Sequence, residues 1–179
     1  MATLRYGQYV RRAAAAELDF CLRVNGWCRQ RAVQRFFAGV SRLGDGVFWY
    51  ALILVLPLIY GRAAVAVSLK MALVGFVGLV TYKVIKQTTA RPRPASLDST
   101  IRLGTDPLDH YSFPSGHTLH AVGFSVTALH YYPDLAWWLI PFASLVAASR
   151  VILGLHYPTD VLAGAVIGAV IALGCLNLF

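Results

Sequence analysis

The sequence carries little charge for its length. Of its 179 residues, only 13% are charged and 58% are hydrophobic, whereas a soluble domain is about one quarter charged and about half apolar. This shortage of charge excludes a disordered chain and disfavours a soluble globular enzyme. Cysteine is also scarce, and three cysteines without a close pair argue against a disulfide scaffold or a zinc ribbon. The length allows one domain and no second sizeable core.

Acidic residues are scarcer than basic ones. There are 16 Lys and Arg against 8 Asp and Glu, which gives a net charge of +8. The basic residues are separated from the apolar runs, so anionic membrane lipids are better partners for them than nucleic acid. Residues 1–18 contain no apolar stretch long enough for a signal peptide. Membrane insertion is therefore expected from internal segments.

The long apolar runs predict an all-α, polytopic membrane helix bundle with about five transmembrane helices. A membrane-spanning helix needs about 20 residues, with a range of about 17–25. The candidate runs are 47–61, 63–82, 115–132, 135–155 and 159–179. The third contains polar residues, so it must face protein or water on one side. Gly164 and Gly168 lie four residues apart in the last run, which allows close packing inside a bundle.

The N-terminal arm, residues 1–43, has the pattern of a basic amphipathic helix that lies in the membrane interface. Apolar residues recur at helical spacing from Phe20 to Val40, and arginines fill many of the other positions. Asn25 and Gly26 are expected to break this arm into two pieces. The alternative is a helix that packs on the core without lipid contact. The remaining residues, 44–179, form one membrane-embedded domain in this interpretation.

A Pro-Ser-Gly-His segment, Pro114 to His117, opens the third run. Proline suits the first turn of a helix, and the backbone N–H groups that follow are free to bind an anion. Ser115 adds a hydroxyl donor, Gly116 allows a ligand to approach the backbone, and His117 adds a titratable group.

Two further segments place charged side chains on the same membrane face as this one. Lys86 is followed, after six residues, by Arg93 and a proline. Arg150 is followed, after five residues, by His156 and, after three more, by Asp160. Together the cations and the helix N-terminus suit a dianionic phosphate. A histidine held by a carboxylate suits a nucleophile, and a second histidine can protonate the leaving group.

These segments resemble the three signatures of the type 2 phosphatidic acid phosphatase (PAP2) superfamily of membrane lipid phosphatases. They are KQTTARPRP at 86–94, PSGH at 114–117 and SRVILGLHYPTD at 149–160, in the order that the family has them. The resemblance implies an integral-membrane phosphatase that hydrolyses a lipid phosphomonoester or diphosphate through a phosphohistidine. It implies neither a metal ion nor any other cofactor.

The resemblance also implies a role for each matched residue. His156 would attack phosphorus, Asp160 would orient His156, and His117 would protonate the leaving group and then activate water. The phosphoryl oxygens would be held by Lys86, Arg93, Ser115, Gly116 and Arg150. The other histidines match no signature. Of these, His120 is expected to be buried with its hydrogen bonds satisfied, and the alternative is that it lines the pocket, one helical turn from His117. Arg91 lacks a lysine at the matching position, so it is expected to be a bystander or a headgroup contact.

The distribution of arginine predicts the side of the membrane on which the site lies. Eight arginines precede the first run, while the opposite side has only Arg62 and Lys70. The positive-inside rule then places the active site on the cytoplasmic face of a bacterial-type inner membrane. Many bacterial relatives work on the outer face instead. The long connection 95–113 is expected to act as a lid or a headgroup selector.

Several functions remain open at this stage. Candidate substrates are a polyprenyl phosphate or diphosphate, phosphatidylglycerophosphate and phosphatidic acid, or alternatively a polyprenyl-linked sugar phosphate. An intramembrane serine protease that uses Ser115 is a different possibility, but it leaves Lys86, Arg93 and Arg150 unexplained. A non-catalytic lipid transporter is another, but it leaves the histidines and Asp160 without a use.

Overall fold

The computed structural model describes residues 2–107 and 109–178, with side chains from residue 12 onward. This part of the chain forms eight α-helices and contains no β-strand, so the all-α prediction is confirmed. Residue 1 of the predicted arm, residue 108 of the 95–113 connection and residue 179 of the last predicted run lie outside the described residues. So do the side chains of Arg5 and Arg11, which contributed to the charge argument.

The helices of the described part follow one another with short connections, apart from the long segment 98–115. They are α1 (Ala2–Asn25), α2 (Arg31–Arg42), α3 (Phe48–Tyr60), α4 (Ala64–Thr89), α5 (Pro94–Leu97), α6 (Gly116–Tyr131), α7 (Ala136–Ile152) and α8 (Pro158–Leu176). A 3-10 turn, Gly26–Arg29, separates α1 from α2, which is where the sequence predicted a break. A π-helical turn, Leu43–Val47, joins α2 to α3.

The protein is a multi-pass membrane helix bundle. In the described part, four stretches are long and apolar enough to cross a membrane, namely Arg31–Tyr60, Ala64–Leu97, Pro133–Ile152 and Pro158–Leu176. Helix α6 has 16 residues, which span about 24 Å at about 1.5 Å per residue. It packs against α4, α7 and α8 and forms the centre of the bundle. The predicted number of about five therefore corresponds to four crossing stretches and this central helix.

The predicted arm comprises α1 and α2, and α2 leads through the π-helical turn into α3 within one crossing stretch, Arg31–Tyr60. One face of the arm packs on the core, where Cys21 and Cys28 are 0% and 3% exposed. Its other face leaves Phe20, Trp27 and Phe36 50%, 57% and 54% exposed. The arm thus has a packed face and an apolar outer face. Its location in the interface, and the division at residue 43, remain predictions.

Helix α4 is longer than the run predicted for it. The predicted run ended at residue 82, but the helix continues to Thr89, and its C-cap, Ala90, has a left-handed φ of 45°. The physical reason is that no helix-breaking residue occurs before Pro92, and polar residues are compatible with helix where the chain leaves the membrane. Lys86 therefore projects from the last turns of a long helix rather than from a loop.

Helices α6 and α8 make the closest contact in the bundle. A Cβ atom on Gly164 would lie 2.5 Å from the carbonyl oxygen of Ser115, and one on Gly168 would lie 2.2 Å from that of Leu119. These glycines allow backbone-to-backbone contact, as their spacing predicted. The contact fixes the N-terminus of α6 beside the N-terminus of α8, and this is where the polar motifs meet.

Candidate active site

Six of the eight predicted site residues line one cavity of about 820 Å³. They are Lys86, Arg93, Gly116, His117, Arg150 and His156. The cavity has a polar end at these residues and an apolar part between α3 and α4, lined by Trp49, Ile53, Ala72, Phe76 and Leu79. It therefore joins a cluster of cations to an apolar groove.

Lys86 and Arg93 converge at the polar end, where both are 5% exposed. Both hold the carboxylate of Asp109. The Lys86 Nζ atom lies 2.6 Å from Asp109 Oδ2, and the Arg93 Nη2 atom lies 2.7 Å from Oδ1. Arg93 also donates to the Leu155 carbonyl through Nη1 at 2.7 Å. Two buried cations at one point need an anion between them, and in this structure Asp109 supplies it.

Asp109 is a site residue that sequence reasoning missed. It lies in the 95–113 connection, which has no periodic pattern that would predict where its side chains point. Burial raises the pKa of its carboxyl, but the hydrogen bonds and charges of Lys86 and Arg93 outweigh burial and hold this pKa below its ordinary value. The carboxylate is thus charged near neutral pH, and it lies between the two cations.

Arg150 is the third cation of the site and is 3% exposed. Its Nη1 atom donates to the hydroxyl of Ser41 on α2. Its Nε atom has no hydrogen-bond partner among the described residues, although it is fully buried. A buried guanidinium N–H without a partner costs free energy unless a ligand accepts from it. Arg150 is therefore arranged to receive a further anionic or polar group.

His156 lies at the base of the cavity, between α7 and α8, and is 1% exposed. Its Nε2 atom lies 3.4 Å from Arg93 Nη1, and its Nδ1 atom lies 3.5 Å from Asp160 Oδ2, which is long for a hydrogen bond. Burial, followed by the charges of Arg150 and Arg93, holds the pKa of His156 well below its ordinary value. The imidazole is therefore neutral near pH 7.

Asp160 is fully buried behind His156, outside the cavity lining. Its Oδ2 atom accepts from the backbone N–H of Tyr157 at 2.9 Å, which caps the N-terminus of α8. Its Oδ1 atom accepts from Arg91 Nη1 at 2.6 Å. The structure thus brings Asp160 next to His156 and holds its carboxylate from two other sides.

The structure gives Arg91 a different environment from the one expected, since it is neither a bystander nor placed in the cavity. Besides Asp160, its guanidinium contacts Glu17 of α1 at 2.8 Å and stacks 4.0 Å from the ring centroid of Tyr157. Glu17 in turn accepts from the backbone N–H of Thr159 at 2.7 Å. The Arg-Pro pair occurs twice in a row at residues 91–94, and this repeat was the one sequence signal for the network. The network ties the N-terminal arm to α8.

The Pro-Ser-Gly-His segment forms the N-terminus of α6, one step later than predicted. Ser115 is the N-cap, and Pro114 therefore precedes the helix instead of occupying its first turn. The Ser115 hydroxyl accepts from the Thr118 N–H at 3.4 Å and pairs with the Thr118 hydroxyl at 3.0 Å, outside the cavity lining. Gly116 does line the cavity, where a Cβ atom would lie 3.3 Å from the Tyr82 ring.

His117 projects from the first turn of α6, and its Nε2 atom lies 3.2 Å from Asp45 Oδ1. One turn further, the Nε2 atom of His120 lies 3.1 Å from the carbonyl oxygen of Gly75, although this ring also lines the cavity. His110 also lines the cavity, while His130 contacts Tyr131 edge-to-face at the far end of α6. In the described residues, no group of three His, Cys, Asp or Glu side chains is arranged to hold a metal ion.

This bundle, with a buried cation cluster and two histidines at the head of an apolar groove, defines a multi-pass membrane protein with one cationic pocket that opens between apolar helices. Residues 63–179 match the family model of the PAP2 superfamily. The chain therefore belongs to the PAP2 superfamily.

Curated relatives and solved structures agree with this assignment. An undecaprenyl-diphosphatase of Sulfolobus acidocaldarius is 33% identical over 132 residues, which are 73% of this chain and 63% of the relative. The fold is similar to that of Aquifex aeolicus LpxE, with a TM-score of 0.77, 26% identity, and coverage of 89% of this chain and 94% of that one. It is also similar to a PAP2-type phosphatidylglycerolphosphate phosphatase of Bacillus subtilis, with a TM-score of 0.74, 25% identity, and coverage of 92% and 85%.

Proposed function

We propose that this protein is a metal-independent lipid phosphate phosphatase that works through a phosphohistidine on His156. The observation that carries the proposal is the position of His156, at the junction of three buried cations and an apolar groove. Cations of this kind hold the three equatorial oxygens of a phosphoryl group in transfer, where charge is spread. The groove accommodates an apolar chain at the same time.

The first half of the reaction is an in-line displacement. The lone pair of His156 Nε2 forms a bond to phosphorus, and the bond from phosphorus to the leaving oxygen breaks with its electron pair. His117 gives its proton to that oxygen. Asp160 supports the cation that develops on His156, because its carboxylate lies next to Nδ1 and is kept in place by Arg91 and the Tyr157 N–H. The product is the lipid alcohol, or the lipid monophosphate if the substrate is a diphosphate.

The second half of the reaction returns the enzyme to its starting state. His117, now neutral, takes a proton from water, and the hydroxide attacks phosphorus while the bond to His156 breaks. Inorganic phosphate leaves, and His117 again carries the proton. In both halves Lys86, Arg93 and Arg150 hold the phosphoryl oxygens, with the N–H of Gly116 as a further donor. Ser115 acts mainly as the cap that keeps this N–H oriented.

The groove favours a substrate with a long apolar chain. Its walls are formed by α3 and α4, and the residues that line it lie on helices that cross the membrane. Substrates consistent with it are a polyprenyl phosphate or diphosphate, phosphatidylglycerophosphate and phosphatidic acid, with a polyprenyl-linked sugar phosphate as the alternative. The names of the similar undecaprenyl-diphosphatase and phosphatidylglycerolphosphate phosphatase support the first two classes. The serine protease hypothesis loses its basis, because the Ser115 hydroxyl bonds to Thr118.

The proposal is tested by phosphate release from a panel of these lipids in detergent with EDTA present. We expect release by the wild type and none by His156→Gln. Ala72→Phe narrows the groove but leaves the phosphate site intact, so it should lower kcat/KM for the long-chain lipids more than for a short-chain phosphate. Equal activity of wild type and His156→Gln would contradict the mechanism, and release that requires a divalent cation would contradict metal independence.

We propose further that the site faces the cytoplasm of a bacterial-type inner membrane, because the arm and the site lie on one side of the bundle and the arm is rich in arginine. Ser99→Cys and Arg62→Cys introduce exposed thiols on the two opposite sides, while Cys21, Cys28 and Cys175 are buried. An impermeant thiol reagent added to intact cells should label Arg62→Cys and leave Ser99→Cys unlabelled. The reverse pattern would contradict this orientation.

A further inference from the structure

The turn between α2 and α3 has an unusual backbone conformation around one acidic residue, Asp45. Within Leu43–Val47, Gly46 adopts a φ of 133°, which residues with a side chain rarely adopt. Gly44 packs so closely on α7 that a Cβ atom would lie 2.6 Å from Val146, and its carbonyl accepts from Trp49 Nε1 at 3.2 Å. π-helical turns and unusual backbone conformations are frequent at functional sites. Here both glycines flank Asp45.

Asp45 lies where two cavities meet. It lines the main cavity together with His117 and Arg150, and these three residues also line a second cavity of about 430 Å³. The other residues of the second cavity are mostly polar, and they include Ser41, Arg42, Thr105 and Asp106. The side chain of Asp45 is 43% exposed, so it has access to water.

The charges around His117 show why a carboxylate is needed here. Lys86 from α4, Arg93 from the following connection and Arg150 from α7 line the same cavity, and His120 and His156 also face it. All three cations disfavour a positive charge on the His117 imidazole. The leaving-group proton that we assign to His117 requires that charge.

Two carboxylates close to the main cavity are held by other groups. Asp109 contacts Lys86 and Arg93, and Asp160 contacts Arg91 and the N–H of Tyr157. Asp45 is the carboxylate that reaches His117 in the described part of the chain, at 3.2 Å from Nε2.

We propose that Asp45 is the positioning residue of His117, which orients this imidazole at 3.2 Å and offsets the surrounding cations when His117 carries the proton for the leaving oxygen. The proposal rests on the phosphatase function proposed above. It assigns a role to a residue outside the region 63–179 that matches the family model. The carboxylate pairs with the imidazolium whenever His117 carries the proton. When the P–O bond breaks, the proton passes from His117 to the leaving oxygen, and attack by water returns a proton to His117 in the second half-reaction.

Leaving-group chemistry separates this role from a structural one. An alkyl phosphate needs a proton on its leaving oxygen, whereas a nitrophenyl phosphate departs as a stable anion. Two phosphate monoesters can be compared, one with an alkyl leaving group and one with a nitrophenyl leaving group that carries the same alkyl chain. They differ in their need for the proton from His117. The parameter to compare is kcat/KM, because it reports the steps up to departure of the leaving group.

We expect Asp45→Asn to lower kcat/KM for the alkyl phosphate by about 10–100-fold, and that for the nitrophenyl phosphate by less than about threefold, because general acid catalysis contributes about 10²–10⁴-fold. Asp45→Glu should recover part of the loss. Asp106→Asn is the matched control, since it removes a carboxylate from the second cavity, and it should change neither value.

Each outcome has a distinct meaning. An equal loss on both substrates, or no loss on either, in Asp45→Asn with an active wild type would overturn the role of Asp45. An equal loss in Asp106→Asn would overturn it as well, because any charge in the second cavity would then have the same effect. A wild type that is inactive on both substrates would instead contradict the proposed function itself.

Discussion

Replacement of Asp109 by asparagine should tighten the binding of phosphate-like anions. The Asp109 carboxylate contacts Lys86 Nζ at 2.6 Å and Arg93 Nη2 at 2.7 Å, so a substrate phosphate must displace it. Asparagine keeps the size of the side chain and one oxygen acceptor but removes the competing charge. The direction of the effect follows directly, because the ligand no longer competes with an internal anion for the same two cations.

The size of this effect can be worked from the contacts. A hydrogen bond to a charged group contributes about 1.5–3 kcal/mol, and Asp109 makes such bonds to two cations. Its side chain is 38% exposed, so solvent screening reduces the contribution. Because the amide oxygen also keeps part of the contact, about 1–2 kcal/mol remains, which corresponds to binding tighter by about 5–30-fold.

The assay is competitive inhibition by vanadate, a phosphate mimic, together with the melting temperature in detergent. The inhibition constant of Asp109→Asn should fall by about 5–30-fold. The melting temperature without ligand should also fall, because two buried cations lose their anion, and phosphate should restore it. Since the pKa of Asp109 is held below its ordinary value, its stabilisation is fully present at neutral pH and is lost only as the pH falls through that lowered pKa.

Asp98→Asn is the control for this experiment, since it lies in the same connection and its carboxylate accepts from Thr100. It should leave the inhibition constant unchanged. Vanadate inhibition that is unchanged or weaker in Asp109→Asn, with a folded protein, would refute the reasoning.

Three other changes test separate parts of the structure. Arg91→Ala should lower kcat by about tenfold or more, because residues that orient a functional side chain contribute about 10–100-fold in the comparable case of metal ligands. Arg91→Lys should retain more activity. A change in KM with an unchanged kcat would contradict the role of Arg91 in holding Asp160. Burial lowers the pKa of His156, so below about pH 6.5 the unfolded chain binds a proton that the folded chain does not. The melting temperature of the wild type should therefore fall more than that of His156→Gln between about pH 7.5 and about pH 5.5. Equal falls in the two melting temperatures would contradict this. Gly168→Ala should destabilise the protein by about 1–3 kcal/mol in thermal unfolding, because its Cβ atom would lie 2.2 Å from the Leu119 carbonyl oxygen. Gly174→Ala should be neutral, because a Cβ atom at that position would have no neighbouring atom within 4 Å.

The sequence predicted the residues that meet in the site better than the way in which they are held. Lys86, Arg93, Arg150, His117 and His156 line one cavity as expected, because short motifs fix which side chains face a helix N-terminus or the end of a span. The length of apolar runs likewise predicted the bundle. The extent of α4 was missed, since its last turns are polar and hydropathy does not distinguish a polar helical turn from a loop.

The missed residues share a physical reason. Asp45 sits between two glycines, a pattern typical of a loop, and its direction depends on the φ of Gly46 and on packing against Val146. Asp109 depends on the path of a long connection. The partners of Arg91 come from α1 and α8, which are far apart in the sequence. Contacts of this kind arise from tertiary packing, and no local period encodes them.

The central claim is that His156 carries the phosphoryl group, and trapping the intermediate tests it most directly. The protein would be mixed with a nitrophenyl phosphate that bears an alkyl chain and a radiolabelled phosphoryl group, and quenched in base, where phosphohistidine is stable. The account predicts label on the wild type, and more on His117→Ala, which lacks the base for the second half-reaction. It predicts no label on His156→Gln. Label on His156→Gln, or turnover by that variant, would contradict the account.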